Sequence, residues 1–241
     1  MVGALRFAAC IALTLFWASL GIVTWPLSPS GALYLWYARV WSRMVFGVSG
    51  VELDGRLAHY DPEKPVIFMS NHVSTFDIQA LFAAIPGPVR MLAKRELSRV
   101  PILGWSMWMA GFIFIDRAKR SEAMSSLAKA GAAVRAGKSI VIFPEGTRGD
   151  GQSLLPFKRG GFQLALEAGV PVVPVGIAGT EIVLPSHVLR PRPGRVVVRF
   201  GDPIEIGTDS ADARALMART AAAIDQLVSE ARLRVTDPAA R

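Results

Sequence analysis

Short apolar runs alternate with helical segments through most of the chain after residue 50, and this alternation limits the folds that the chain can adopt. The runs with the length and composition of strands are 51–57, 66–70, 89–92, 112–115, 140–143, 172–177 and 196–200. Strands that alternate with helices form mainly parallel sheets covered on both faces. The sequence therefore predicts an α/β fold with a largely parallel central sheet flanked by helices.

The helices between and after these runs are marked by their ends and by their periodicity. The predicted segments are 78–85, 121–135 with Ser121 as N-cap and Gly137 as C-cap, 161–168 before Gly169, and 212–232. The last segment is amphipathic and is expected to bury Leu216, Ile224 and Leu227.

The first fifty residues have a different character. Residues 7–25 carry no charge, and as a helix they would extend about 28 Å, close to the roughly 30 Å of a bilayer's hydrocarbon core. A break at Pro26 separates them from a second helical pattern, 32–46, in which Arg39 and Arg43 share one face. The sequence therefore predicts residues 1–48 as a two-helix membrane-associated segment and residues 49–241 as the α/β domain.

Aromatic residues are concentrated in this N-terminal segment, where they are expected at the level of the lipid headgroups. They are Trp17, Trp25, Tyr34, Trp36, Tyr37 and Trp41. The first helix either spans the bilayer or re-enters one leaflet. The alternative is a cleaved signal peptide, but the apolar run is long and no small-x-small cleavage site follows it. Because Arg39 and Arg43 follow the first helix, we expect a cell-membrane protein whose α/β domain faces the cytoplasm.

A second uncharged run, 100–115, contains Trp105 and Trp108 and is short for a membrane span. It is interpreted as a membrane-dipping segment or the wall of an apolar pocket. The alternative is a core helix followed by a strand.

The net charge of +8 favours anionic partners, and an anionic membrane is one of them. The chain has neither zinc-finger spacing nor an RNA-binding aromatic signature, so no nucleic-acid partner is predicted. Cys10 is the single cysteine, which excludes an intrachain disulfide and a multi-cysteine metal site, and no metal is predicted. Four basic residues near the C-terminal end of the sheet region are interpreted as a solvated face, with a headgroup contact as the alternative. They are Arg190, Arg192, Arg195 and Arg199.

Polar residues follow three of the predicted strands. His72 and Asp77 follow the second, and their five-residue separation allows contact only if the backbone turns between them. Asp77 would then orient the imidazole of His72 as a general base. Asp116 and Arg117 follow the fourth strand, and the segment 143–148 follows the fifth. Because sites in such sheets lie beyond the carboxyl ends of strands, these clusters are expected to form one site.

Two enzyme classes lack their signatures in this sequence. A lipase or esterase would need a Gly-x-Ser-x-Gly elbow, and many nucleotide enzymes need a Walker loop, and neither motif is present. A noncatalytic lipid-binding protein would share the membrane segment and the basic charge, but it has no need of a His-x4-Asp pair.

Together these motifs resemble the glycerolipid acyltransferases, above all the 1-acyl-sn-glycerol-3-phosphate (lysophosphatidate) acyltransferases. Four blocks occur in the family's order: Asn71-His-Val-Ser-Thr-Phe-Asp77, Gly111-Phe-Ile-Phe-Ile-Asp-Arg117, Phe143-Pro-Glu-Gly-Thr-Arg148 and Val170-Pro-Val-Val-Pro-Val-Gly-Ile177. The segment from Lys94 to Leu97 is similar to a basic segment of the same family.

The resemblance implies transfer of an acyl chain from acyl-CoA or acyl-carrier protein to the sn-2 hydroxyl of lysophosphatidate, with no cofactor. It assigns catalysis to His72 and Asp77. It assigns substrate binding to Asn71, Lys94, Arg117, Glu145, Gly146, Thr147 and Arg148, with the two arginines facing the acceptor phosphate and Glu145 holding an arginine or a glycerol hydroxyl. Another lysolipid, such as a lyso-ornithine lipid, is the alternative acceptor.

Overall fold

The computed structural model describes residues 2–57, 61–116, 120–206 and 212–236. Its helices are α1 Val2–Val23, α2 Ala32–Ser49, α3 Phe76–Ala84, α4 Leu103–Met109, α5 Arg120–Arg135, α6 Gly160–Ala168, α7 Thr180–Val183 and α8 Ala213–Thr236, with 3-10 helices at Trp25–Leu27 and Arg95–Arg99. Its strands are β1 Val51–Asp54, β2 Ile67–Ser70, β3 Val89–Lys94, β4 Ile113–Ile115, β5 Ser139–Ile142, β6 Val172–Ala178 and β7 Gly194–Phe200.

All seven strands form one sheet in the order β1-β7-β6-β2-β5-β3-β4. The five strands from β6 to β4 are mutually parallel, β7 is antiparallel to β6, and β1 is parallel to β7. The predicted α/β fold with a largely parallel sheet is confirmed. The first strand is shorter than predicted because Gly55 has a φ of +130° and lies against the Val198 carbonyl, where a side chain has no room.

The sheet separates two hydrophobic clusters. Along β2, Phe68 packs into the cluster under α2, α3 and α4, whereas Ile67 and Met69 pack into the cluster under α5, α6 and α8. This division follows from the alternation of side chains along a strand. Each such fully buried side chain stabilises the fold by about 1.5–3 kcal/mol relative to an exposed one. The centre of the sheet is therefore a rigid base for the loops at its carboxyl edge.

Helix ends differ from the prediction in small ways. α5 begins at Arg120, so Ser121 lies inside the helix rather than at its N-cap. α8 buries Leu216 and Ile224 as expected, but Leu227 is only partly buried and Val228 takes the inward position.

The two predicted N-terminal helices are present and lie side by side. α1 contacts α2 along its length, since Cys10 Sγ lies 3.5 Å from Ser49 Oγ and Trp41 Nε1 donates to Thr14 Oγ1 at 3.1 Å. α2 shares the core of the α/β domain through Leu35 and Phe46. α1 is the one helix in the described residues that is long and apolar enough to cross a membrane, and little of it is buried. The division at residue 48 stays a prediction.

Four of the six N-terminal aromatic residues line a cavity between the N-terminal helices and the α/β domain. They are Trp17, Tyr34, Tyr37 and Trp41. Trp25 and Trp36 are exposed. The ring of Trp17 packs on that of Tyr37, so α1 and α2 cover part of each other's apolar face. The headgroup position of these aromatic residues stays a prediction.

The run 100–115 forms α4 and β4, which agrees with the alternative of a helix followed by a strand. Ser106 and Met107 are buried, whereas Trp105 and Trp108 are exposed. The same helix lines the cavity through Leu103 and Met107, so the expected pocket wall is also present.

Two of the four bases expected on a solvated face are engaged in ion pairs. Arg195 and Arg199 bind Asp54 at 2.9 and 3.2 Å and join β1 to β7. Burial opposes ionisation of Asp54, but the Arg199 and Arg195 guanidinium groups outweigh it and hold the pKa of that carboxyl below its usual range. Arg190 is exposed.

Candidate active site

His72 and Asp77 meet at the carboxyl end of β2. His72 lies in the loop after the strand and Asp77 in the first turn of α3, as their spacing requires. His72 Nδ1 lies 2.7 Å from Asp77 Oδ2. Because a carboxylate only accepts hydrogen bonds, a neutral His72 carries its proton on Nδ1. Nε2 is then the unprotonated nitrogen available to a substrate, and the imidazole retains 14% exposure.

Asp77 is fully buried, and its two oxygens are both occupied. Oδ2 also accepts the backbone N–H groups of Val73 and Ser74, each at 2.8 Å. Oδ1 accepts the hydroxyl of Thr180 at 2.5 Å. Hydrogen bonds of this kind fix the direction of the carboxylate. Asp77 is thus held from its own loop and from the first residue of α7, the helix after β6.

The backbone of His72 is held by the segment that follows β5. Its N–H donates to Glu145 Oε1 at 2.7 Å, and its carbonyl accepts the N–H of Gly149 at 2.8 Å. The imidazole stacks on Phe143, with ring centroids 4.0 Å apart and planes 15° from parallel. The His72–Asp77 pair and the segment 143–148 are 66 residues or more apart in sequence, and they form one rigid unit because β2 and β5 are neighbours.

Glu145 is buried, and its partners among the described residues are backbone N–H groups rather than an arginine. Its second oxygen, Oε2, accepts the N–H of Leu155 at 2.9 Å. Burial raises the pKa of the Glu145 carboxyl, although the N–H groups of Leu155 and His72 favour its charged form. Glu145 thus links the loop of His72 to the loop of Leu155. The predicted contact of Glu145 with a glycerol hydroxyl stays a prediction.

The rest of this segment reaches the surface. Gly146 has a φ of +71°, which turns the chain so that Thr147 and Arg148 are exposed. Arg148 Nη1 donates to Thr75 Oγ1 at 3.0 Å. A guanidinium therefore lies over the loop that carries His72, in a position where it could face an anionic substrate.

Asn71 lies beside His72 but points away from it, into the sheet. Its amide donates to the Ile177 carbonyl and accepts the Ile177 N–H, both at 2.9 Å. This clamp continues the pairing of β2 with β6 by one residue. The substrate-binding role predicted for Asn71 stays a prediction.

The remaining predicted residues follow strands farther from β2. Lys94 ends β3, is exposed, and forms an ion pair with Glu96 at 3.2 Å. Asp116 follows the edge strand β4 and accepts from Arg95 Nη1 at 3.4 Å. Arg117 lies outside the described residues, as does His59. At about 5 Å per strand, β3 and β4 lie roughly 10 and 15 Å from β2.

An apolar cavity of about 260 Å³ lies beside this cluster. It is lined by residues of α1, α2, the loop before α3 and α3 itself, and the segment 97–112. On α3 its wall is formed by Thr75, Ile78, Gln79 and Phe82, which share one helical face. Thr75, the residue that binds Arg148, thus also lines the cavity. The charged part of the site and the apolar cavity adjoin at this threonine.

Comparison with known protein families decides the classification of the chain. Residues 53–178 match the family model described as Acyltransferase, which covers more than half of the chain. The chain belongs to the acyltransferase family. The resemblance predicted from the four sequence blocks is confirmed.

Several relatives of this chain have one activity, that of a 1-acyl-sn-glycerol-3-phosphate acyltransferase, in their names. It is 36% identical over 157 residues to human 1-acyl-sn-glycerol-3-phosphate acyltransferase alpha, covering 64% of this chain and 56% of that protein. It is 35% identical to the Salmonella typhimurium 1-acyl-sn-glycerol-3-phosphate acyltransferase, covering 68% and 70%. With the Cocos nucifera enzyme of that name it shares 31% identity, covering 85% and 68%. The chain spans little more than half the length of the mammalian relatives.

The fold of this acyltransferase is also that of a solved structure. The 1-acyl-sn-glycerophosphate (LPA) acyltransferase, PlsC, from Thermotoga maritima superposes with a TM-score of 0.81 over 98% of this chain and 97% of that one, at 24% identity. At this identity the likeness shows the fold, including the N-terminal helices.

Three residues of the acyltransferase site were missed by sequence reasoning. Thr180 holds Asp77, Phe143 stacks on His72, and the side chain of Lys158 lies across Gly146. Phe143 was inside a recognised block and Lys158 is an exposed base near it, so both carried a weak signal. Thr180 carried none, because its contact depends on β6 lying next to β2.

Proposed function

We propose that the protein transfers an acyl chain from an acyl thioester to the sn-2 hydroxyl of lysophosphatidate at a membrane surface. The observation that carries this proposal is the hydrogen bond between His72 Nδ1 and Asp77 Oδ2, which leaves Nε2 as a base beside an apolar cavity. The names of the relatives support the reaction and the acceptor.

His72 acts as base and then as acid. Its Nε2 removes the proton of the acceptor hydroxyl while the oxygen adds to the thioester carbonyl, and Asp77 stabilises the imidazolium that forms. When the tetrahedral intermediate collapses, the carbon–sulfur bond breaks and the imidazolium returns the proton to the leaving thiolate. An ester and a free thiol result, and no acyl-enzyme is formed.

The acyl chain occupies the apolar cavity. The cavity adjoins the His72 loop at Thr75 and continues along α3 towards Phe82. Its lining is mostly aliphatic and aromatic, as expected for a site that removes an alkyl chain from water. Two of its walls come from α1 and α2, so these helices form part of the substrate site as well as the membrane segment.

Positive charges at the opposite side of Thr75 hold the acceptor phosphate. Arg148 lies over the loop, and the Lys158 side chain crosses Gly146 next to it. Guanidinium and ammonium groups are the usual partners of a phosphate ester. Arg117 is assigned to the same phosphate by its block alone, and Lys94 stays a prediction.

α1 lies within one leaflet of the membrane. Its first turns contact the α/β domain, since Gly3 lies against Arg190 and Arg6 against Gly50. The turn after its other end also contacts the domain, since Gly31 packs against Ala110. A helix that crossed the bilayer would have its ends on opposite sides, whereas both ends of α1 meet one domain. The cytoplasmic side of the cell membrane is the proposed location.

Replacing His72 by alanine tests the reaction. The purified full-length chain is assayed in mixed micelles with labelled acyl-CoA and acyl-carrier protein against lysophosphatidate and a lyso-ornithine lipid. We expect transfer to lysophosphatidate to fall by about 10³-fold or more in the variant, because the general base is lost. His187→Ala, at an exposed position, is the matched control.

Each outcome of this assay decides between the proposed function and one alternative. Transfer retained by the His72 variant would refute the base assignment. A wild-type preference for lyso-ornithine lipid would replace the acceptor. Lipid binding without transfer to any acceptor would favour the noncatalytic alternative.

A further inference from the structure

We propose that α4 is a second membrane-contact element, in which Trp105 and Trp108 insert into the headgroup region of an anionic bilayer beside the acyl cavity. The inference rests on the proposed function, which places the protein at a membrane through α1. It goes beyond that function because α4 belongs to the α/β domain and not to the N-terminal segment.

The first observation is the division of α4 into two faces. Trp105 and Trp108 are 58% and 68% exposed, whereas Ser106 and Met107 between them are buried. Two neighbouring tryptophans on one helix face expose a large aromatic surface, and tryptophan is rarely left in water without a partner surface. Tryptophan is enriched where apolar lipid meets the headgroups.

The second observation is contact between α4 and the N-terminal helices. Tyr34 Oη lies 3.2 Å from Ser106 Oγ, and Gly31 packs against Ala110 at the end of α4. The turn between α1 and α2 that lies here exposes Val23, Trp25 and Leu27. The helix that carries the exposed tryptophans therefore packs on the helix pair that is proposed to enter the membrane, and the end and connecting turn of that pair are also apolar and exposed.

The third observation is the position of a basic residue just before α4. Exposed Arg99 directly precedes exposed Val100, and the apolar face follows. A base followed by tryptophans and aliphatic residues matches the order of layers at an anionic membrane surface, from headgroup phosphates to acyl chains. This charge pattern favours a lipid bilayer as the occupant over a second copy of the basic chain.

The backbone holds the tryptophans outward. Ile102 has a φ of +64° and a ψ of −60°, and Leu103 N–H donates to the Pro101 carbonyl at 2.7 Å, which makes a strained γ-turn. Gly104 then lies so close to the carbonyls of Leu97 and Ser98 that a side chain has no room. The start of α4 is thus fixed, and the exposed face cannot rotate inward without breaking this packing.

The opposite face of α4 lines the acyl cavity through Leu103 and Met107. One helix therefore separates the cavity from the proposed lipid surface. Insertion of Trp105 and Trp108 would set the depth of the protein in the leaflet, and with it the level at which an acyl chain meets His72.

A fluorescent label measures this contact directly. Trp108→Cys is made in a Cys10→Ala background and labelled with an environment-sensitive dye, and Ser229→Cys in the same background is the control. Ser229 is exposed on α8, which covers the other face of the sheet. The full chain is added to vesicles of phosphatidylcholine and phosphatidylglycerol, with and without brominated lipid.

We expect the label at position 108 to shift to the blue and to be quenched by brominated lipid, and the label at 229 to stay unchanged. An unquenched label at 108 on vesicle-bound protein would overturn the proposal. A concentration-dependent blue shift without vesicles would also overturn it, in favour of a contact between copies of the chain. Acyl transfer is assayed in parallel, so that quenching without transfer would refute the proposed function alone.

Two double variants test the same membrane contact without a label. The double variant Trp105→Ala/Trp108→Ala should partition into the anionic vesicles about 10-fold less than wild type, while Trp105→Phe/Trp108→Phe keeps most of the binding. Both pairs of substitutions are at exposed positions, so both variants should keep the wild-type melting temperature. Equal partitioning of the alanine variant and wild type would contradict the role of the two tryptophans.

Discussion

The cluster around His72 and the cavity beside it are built in opposite ways. In the cluster, Asp77 and Glu145 are buried carboxylates whose oxygens are all hydrogen-bonded, and they are supplied by the loops after adjacent strands. In the cavity, the walls come from four separate helices, and the buried amide of Gln79 has an Oε1 without a partner in the described part of the chain. The cluster is thus specified by hydrogen bonds and tolerates little change, whereas the cavity is specified by packing and can be reshaped.

The largest effect is expected for Asp77→Asn. Because the N–H groups of Val73 and Ser74 donate to the same oxygen that binds His72, an asparagine keeps its carbonyl oxygen there, and the negative charge that stabilises the imidazolium is what is lost. We expect kcat to fall by about 10³–10⁴-fold with a smaller change in acceptor KM. Steady-state kinetics with lysophosphatidate would measure this. A loss of less than 10-fold would mean that the charge of Asp77 does not support His72 as a base.

Thr180→Val comes next, since Thr180 acts through Asp77 as a positioning residue. Loss of its hydroxyl removes one of four hydrogen bonds to the carboxylate, and we expect kcat to fall by about 10- to 100-fold. Acceptor KM should change less than kcat, because Thr180 touches Asp77 and not the substrate. Thr180→Ser should restore kcat. A variant with lower stability but an unchanged kcat would indicate a structural role only.

On the cavity side, Ala18→Leu should change chain-length preference rather than chemistry. Ala18 is buried on α1 and lines the cavity, so a larger side chain shortens the space for an alkyl chain. We expect transfer of long chains to fall about 10-fold relative to short ones. Ala12→Leu, at an exposed position of the same helix, should leave the ratio unchanged. An unchanged ratio in Ala18→Leu would show that the chain binds elsewhere.

Gln79→Leu tests the other half of the comparison. Replacing an amide with an unpaired oxygen by an apolar group of similar size removes a desolvation penalty of about 1–3 kcal/mol. We expect a melting temperature a few degrees above that of wild type and little change in kcat, measured by calorimetry and by assay. A fall in stability would indicate that Gln79 is hydrogen-bonded in the protein.

The smallest effect is the pH dependence of stability from Glu145. Because burial raises the pKa of this carboxyl, the folded state binds more protons than the unfolded state above the ordinary carboxyl pKa of about 4.3. Stability should therefore fall as the pH rises through the raised pKa. Denaturant unfolding across this range should show a shallower fall for Glu145→Gln. Parallel curves for the two proteins would contradict the assignment.

The same contrast explains how far the sequence could predict the molecule. The seven strands could be predicted because valine and isoleucine runs alternate with helices. The contact of His72 with Asp77 could be predicted because two residues five apart at a strand end meet only if the backbone turns between them. Thr180 is 103 positions from Asp77, and only the order of the strands brings them together. The cavity was not readable, because the periodicity of Trp17 and Tyr37 shows that a face is covered but not which part of the molecule covers it.

The clamp between Asn71 and Ile177 has a consequence for how the enzyme fails. Since the amide of Asn71 bridges β2 and β6 next to His72, any separation of these two strands displaces His72 before the rest of the sheet opens. Thermal inactivation should therefore coincide with, or slightly precede, loss of hydrogen-exchange protection at the Ile177 amide. Residual activity then serves as a local probe of the middle of the sheet.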